Sequence, residues 1–192
     1  MQTPIRTQQF VRVASLAAAL AVAACASTHT VSTSSPDRFD PKAVAWSAKP
    51  GSNTLVGTAQ LTTRKGETKT CAGLEVRLVP DAAYTRDRVA LLYGATDDGF
   101  VEAEEARRVQ AQSDAAVDPA YKRSHKVATC DAKGSFAFNS LADGSYYVLA
   151  PVVWKPRGAQ TTEGGFLMQR VTLAGGETKH VHMMPPSRIS AR

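Results

Sequence analysis

Apolar side chains recur at every second position along two stretches of the chain, residues 54–79 and 130–184, and a period of two marks half-buried strands. Thr54 to Thr63 is rich in β-branched residues, with Leu55, Gly57, Ala59 and Leu61 on one face. After the polar turn Arg64-Lys65-Gly66-Glu67, a strand starts at Thr68, breaks at Ala72-Gly73 and resumes with Leu74, Val76 and Leu78 facing the core until Pro80. Upstream, Val44 and Trp46 alternate with Ala45 and Ser47, which predicts a short first strand before the turn cluster Lys49 to Asn53. In the second stretch Phe136 and Phe138 alternate with Ala137 and Asn139, and Leu141 ends that strand. Asp143-Gly144 is a hairpin turn. Beyond it Tyr146, Val148 and Ala150 point one way, and Tyr147, Leu149 and Pro151 the other. Lys155 to Gly165 reads as a loop, Phe166 to Leu173 as a strand, and Glu177 to Met184 as the last strand, ended by Pro185-Pro186. The pattern predicts an all-β domain of about seven or eight strands over residues 42–186, with no repeats and no second domain.

Between Asp81 and Lys126 the period of two is lost, so this segment reads as a partly helical insertion. Asp81 is placed to cap a helix over residues 84–93 that stops at Gly94, with Tyr84, Arg88 and Leu91 on one face at i, i+4, i+7 and Val89 and Leu92 broadening it. Glu102 to Gln112 carries glutamates early and arginines late, which suits the helix dipole, but few apolar residues, which predicts an exposed helix. Ser113 to Arg123 reads as a loop with a turn at Asp118-Pro119. The insertion is either a binding surface displayed on the scaffold or a plain connection packed on one sheet.

One motif within the second stretch resembles the carboxypeptidase regulatory-like domain, a small sandwich of the transthyretin-like group. Its residues here are Asp131 and Gly134 of a tight turn, the alternating Phe136 and Phe138, Leu141, and Gly144 with Tyr146 opening the next strand. The resemblance covers those residues closely and the rest of the domain loosely. It implies an Ig-like, transthyretin-like β-sandwich, and it transfers no activity, since that domain is an accessory to peptidases.

The N-terminus adds an address. Arg6 and Arg12 precede an uncharged apolar run from Val13 to Ala24, too short for a span of about 20 residues and suited to a signal peptide over 1–24. Val22-Ala23-Ala24-Cys25 resembles the bacterial lipobox. The resemblance implies that Cys25 becomes the first mature residue and carries acyl chains, each buried methylene adding ~0.8 kcal/mol of membrane affinity. Ala26 after it implies the outer membrane, facing the periplasm. The Ser-, Thr- and Pro-rich residues 25–41 then form a flexible tether, and 187–192 a tail. An oxidising envelope implies that the two remaining thiols, Cys71 and Cys130, are joined and staple the insertion to the sandwich. Two free thiols or a redox pair are the alternatives, though Cys-x-x-Cys spacing is absent.

Composition narrows the function. Net charge is +6, falling to +4 once Arg6 and Arg12 leave with the signal peptide. The basic residues form no run and are not interleaved with aromatics, which argues against nucleic-acid binding. The signatures Gly-x-Ser-x-Gly, His-Glu-x-x-His and the P-loop are absent. Asp97-Asp98 and Glu104-Glu105 are adjacent and so diverge. No enzyme and no cofactor is expected. His180 and His182 share a strand face, near Met183 and Met184 and with His125 as a third donor, which allows a copper site. Trp46, Trp154, Tyr93, Tyr146 and Tyr147 form either sandwich core or an aromatic platform for sugars. The expected role is a lipid-anchored, non-enzymatic envelope module that binds a protein partner or a glycan, with copper handling and carbohydrate binding as alternatives.

Overall fold

The computed structural model describes residues 38–112 and 117–186. The expected lipidation site Cys25, the signal peptide, most of the tether and the tail lie outside these residues.

The described residues form nine strands and three α-helices. Chain order is β1 (Asn53–Thr62), β2 (Thr68–Thr70), β3 (Glu75–Pro80), α1 (Ala83–Tyr93), β4 (Asp98–Glu102), α2 (Ala103–Gln112), α3 (Pro119–Arg123), β5 (Lys126–Thr129), β6 (Ser135–Leu141), β7 (Gly144–Trp154), β8 (Glu163–Leu173) and β9 (Thr178–Met183). In the first sheet β1 takes β6 and β2 antiparallel and β9 parallel. The Ala59 amide donates to Gly134 and its carbonyl accepts from Cys71, so β6 and β2 follow one another along a single edge of β1. The second sheet is antiparallel, in the order β4-β8-β7-β3-β5. The expected all-β sandwich with a helical insertion is the fold observed.

The alternation read from the sequence becomes the core. Leu55, Ala59 and Leu61 of β1 and Phe136 and Phe138 of β6 pack against Val76, Leu78, Tyr146, Val148 and Leu167 of the second sheet. Gly57 stands among them because a Cβ there would lie 2.3 Å from the Phe136 ring. The Asp131 turn forms as the motif implied: its carboxylate accepts from the amides of Lys133 and Ser135, and Gly134 takes φ 81°.

β7 is apolar on both faces because both are covered. Tyr146, Val148 and Ala150 enter the sandwich core, whereas Tyr147 and Leu149 point into a second core with Val79, Met168, Val89 and Tyr121. That outer layer is built by the insertion and by Phe39 and Val44. Phe39, inside the segment read as tether, is 4% exposed and meets the rings of Tyr84 and Tyr121 edge-on at 5.6 and 5.4 Å.

Several local readings are corrected. Val44 and Trp46 lie in a 3-10 helix, Pro41–Ala48, capped by Asp40 and begun at a proline. The insertion hides a strand, β4, that pairs with β8. α1 ends at Gly94 as expected, but Asp81 does not cap it, and Leu91 is 63% exposed. The nearly buried Asp81 carboxylate instead grips Arg86 of α1 at 2.6 Å and Arg170 of β8 at 2.6 Å. α2 is less exposed than its composition suggested, because Ala103 and Ala106 are buried. Asp118 caps the short helix α3 where a loop was expected.

Cys71 and Cys130 are bonded, with Cα atoms 5.8 Å apart. Cys71 donates to Ala59 of the first sheet, and Cys130 exchanges bonds with Gly73 and Leu74 at the start of β3. The bridge therefore ties sheet to sheet, rather than stapling the insertion to the sandwich, and closes a loop of 59 residues that contains the insertion. In the chain-entropy model a loop of that size adds ~4 kcal/mol.

A polar fastener holds other parts together. Asn53 is fully buried; its Nδ2 donates to the Leu141 carbonyl at 3.0 Å and to Asp143 Oδ1 at 2.7 Å. Its Oδ1 accepts from the amides of Gly176 and Glu177, both at 2.9 Å. One side chain thus joins the start of β1 to the β6–β7 and β8–β9 turns. Asn53→Ala leaves the buried Leu141 carbonyl and the part-buried amides of Gly176 and Glu177 without this partner and should cost about 2 to 3 kcal/mol in urea denaturation. Asn53→Asp should do no better, because it removes the donor and sets two carboxylates together. A loss below about 1 kcal/mol would show that the turns hold themselves.

Candidate functional site

A cleft of about 940 Å³ opens at one end of the sandwich. Its floor belongs to the inner surface of the second sheet. Phe100 of β4 and Trp154 at the end of β7 are half-buried there, packed against the edge of the main core. Both rings depend on glycines of β8. A Cβ on Gly165 would lie 2.7 Å from the Phe100 ring, and one on Gly164 2.6 Å from the Trp154 ring. Gly164 and Gly165 therefore let the two aromatics lie close against the strand backbone, where side chains would lift them off.

The rim is charged. Arg64 and Lys65 come from the β1–β2 turn, Lys155 and Arg157 from the β7–β8 loop, and Glu102 and Glu163 from strand ends. Glu163 is the cross-strand partner of Trp154, so its carboxylate emerges on the same side of the sheet, next to the indole. Lys69 and Glu104 also line the cleft, and they are paired with Glu67 at 3.1 Å and Arg107 at 2.8 Å. Among the described residues the other rim charges make no ion pair. An aromatic floor beside uncommitted carboxylates and cations can stack an apolar ring face and hydrogen-bond the hydroxyls at its edge.

The expected aromatic platform does not assemble. Tyr146 and Tyr147 are fully buried on opposite faces of β7, and Trp46 packs edge-on to Tyr146 at 5.0 Å, filling the space left by Gly144. Tyr93 ends α1 within the insertion and lines the cavity there, where burial holds its phenol far above the ordinary range. Of the set, only Trp154 reaches the cleft. Phe100 went unread because β4 did; its signal was the short alternation of Phe100 with Gly99 and Val101.

The histidines are separated. His180 and His182 are exposed on the outer face of β9, and His182 Nδ1 shares a 3.0 Å hydrogen bond with Thr58 Oγ1. His125 lies after α3 on the far side of the second sheet, its ring 4.5 Å from that of Tyr121. It is not a third donor to the same site. Among the described residues no group of three His, Cys, Asp or Glu side chains is placed to hold a metal.

Similarity to known proteins is confined to the fold. No protein-family model matches the chain, and no curated protein does. The chain is similar to a Pseudomonas aeruginosa protein of known crystal structure, described as a "putative carbohydrate binding protein". The two share a TM-score of 0.61 and 24% sequence identity, over 79% of this chain and 99% of that one.

Burial, with Arg77 and Arg88 nearby, lowers the pKa of His125 from its ordinary 6.5 to about 4. The unfolded chain takes up that proton first as pH falls, so stability should drop between pH 6.5 and about 4. His125→Gln should flatten this part of the profile, read as urea midpoints at pH 7 and pH 5. An unchanged slope in the variant would place the sensitivity elsewhere.

Proposed function

We propose that this protein is a lipid-anchored bacterial envelope protein whose end cleft binds a carbohydrate without transforming it. The observation that carries the reading is Trp154, set half-buried on the cleft floor with Glu163 beside it and cations on the rim. A pyranose offers the complementary surface: an apolar C–H face for the indole and hydroxyls for carboxylates, ammonium and guanidinium groups. The description of the P. aeruginosa protein of similar fold agrees with this class of ligand. The anchor rests on Val22-Ala23-Ala24-Cys25, and kinship with carboxypeptidase regulatory-like sandwiches on the motif from Asp131 to Tyr146. A binding role fits the absence of hydrolase signatures in the sequence.

The test is calorimetry of the purified protein against a panel of neutral and acidic oligosaccharides. At least one should bind saturably, and Trp154→Ala should weaken it tenfold or more, which is about 1.4 kcal/mol. Trp46→Phe, in the packed region away from the cleft, should bind as the parent does. A panel without a ligand, or a Trp154→Ala variant of undiminished affinity, would overturn the reading. The anchor is checked separately: Cys25→Ser should move the protein from membranes to the soluble fraction and remove the acyl mass.

A further inference from the structure

A second cavity, of about 310 Å³, lies on the opposite side of the second sheet, beneath the insertion. Its walls are apolar: Val89 and Leu92 of α1, Val109 of α2 and Leu149 of β7. Its charged groups, among the described residues, are of one sign. Arg77 of β3, Arg88 of α1 and Lys122 of α3 line it, and among the described residues no Asp or Glu does. Nor does any of these three cations form an ion pair among the described residues. Arg88 is held in place by aromatic faces instead, 5.7 Å from the ring centre of Tyr84 and 6.0 Å from that of Tyr121. His125 also lines the cavity, and its Nε2 is buried without a hydrogen-bond partner.

This combination is costly in an empty protein. Half-buried Arg88 and the more exposed Arg77 and Lys122 line one cavity with no counterion among the described residues, and a buried imidazole nitrogen goes unsatisfied. A ligand that supplies negative charge and an acceptor relieves both, and one with an apolar body fills the walls. The volume lies at the small end of ligand pockets, which start near ~300 Å³.

We propose that this cavity binds a small amphiphilic carboxylate, its anionic head against Arg77, Arg88 and Lys122 and its apolar body against Val89, Leu92, Val109 and Leu149. The body is either a short acyl chain or an aromatic ring, since both present a carboxylate on an apolar stem. The site is independent of the end cleft. Leu149 and Trp154 face opposite sides of β7, so neither proposal stands or falls with the other.

Calorimetry of the purified protein with octanoate, 3-phenylpropanoate, octan-1-ol and octylamine tests it. At least one carboxylate should bind saturably, and comparison of the two identifies the body. Octan-1-ol should bind at least tenfold more weakly than octanoate if the acyl chain is preferred, and octylamine should not bind. Arg77→Gln/Arg88→Gln should lose tenfold or more in affinity, and Leu92→Trp, which fills the cavity while leaving the cations, should abolish binding. Urea midpoints near the parent's confirm that both variants fold. Trp154→Ala should bind the carboxylate as the parent does. The NMR titration midpoint of His125, which burial lowers in the free protein, should rise with ligand bound. Failure of both carboxylates to saturate, an octanol affinity equal to that of octanoate, or undiminished binding in both variants would overturn the proposal.

Discussion

The amide of Asn53 makes more long-range polar bonds than any other single side chain described above, and the two sheets take their relative position partly from it. A sandwich core is non-directional: apolar faces attract but do not say where one sheet should stop along the other. Four hydrogen bonds from one buried side chain to two turns supply that register. The turns in question join β6 to β7, which crosses between sheets, and β8 to β9, which crosses back. Loss of the amide would therefore loosen both crossovers at once, although it touches no apolar contact.

What the sequence made legible was the strand pattern, and the reason is local. In β6 and β7 the period of two, the Asp131 turn and the Asp143-Gly144 turn all point to one hairpin, and the alternation assigned Tyr146 and Tyr147 to opposite faces. Other features depend on tertiary partners. Val44 and Trp46 alternate over too short a window to separate a strand from a 3-10 turn, and Asp40-Pro41 was the better signal. β4 is five residues long and follows Asp97, so its alternation barely registers. Asn53 looked like a turn residue because nothing local reveals that its side chain turns inward. For the cleft, Trp154 was one of five aromatics read as either sandwich core or a platform, and it alone of the five lines the cleft. Its neighbours come from β4 and from the Gly164-Gly165 pair, which had been read as loop.

The second sheet has one aromatic-floored cleft on its inner side and one cationic cavity on its outer side. Both arise where the layers fail to cover it fully: the first sheet at its end, and the insertion between its helices. Of the second sheet's strands only β7 contributes to both, with Trp154 in the cleft and Leu149 in the cavity.

The disulfide has a consequence for the cleft. Cys71 follows β2, the returning leg of the hairpin whose tip carries Arg64 and Lys65. Bonded to Cys130, that leg is moored to the second sheet, and the loop that carries the two cations starts from a fixed position at the rim of the cleft. Freed by reduction, the hairpin would have to be immobilised anew each time the cleft is filled, at the expense of affinity. On the proposed reading of the cleft, oxidation would act as preorganisation: the bond that narrows the unfolded ensemble would also lower the ordering entropy of recognition.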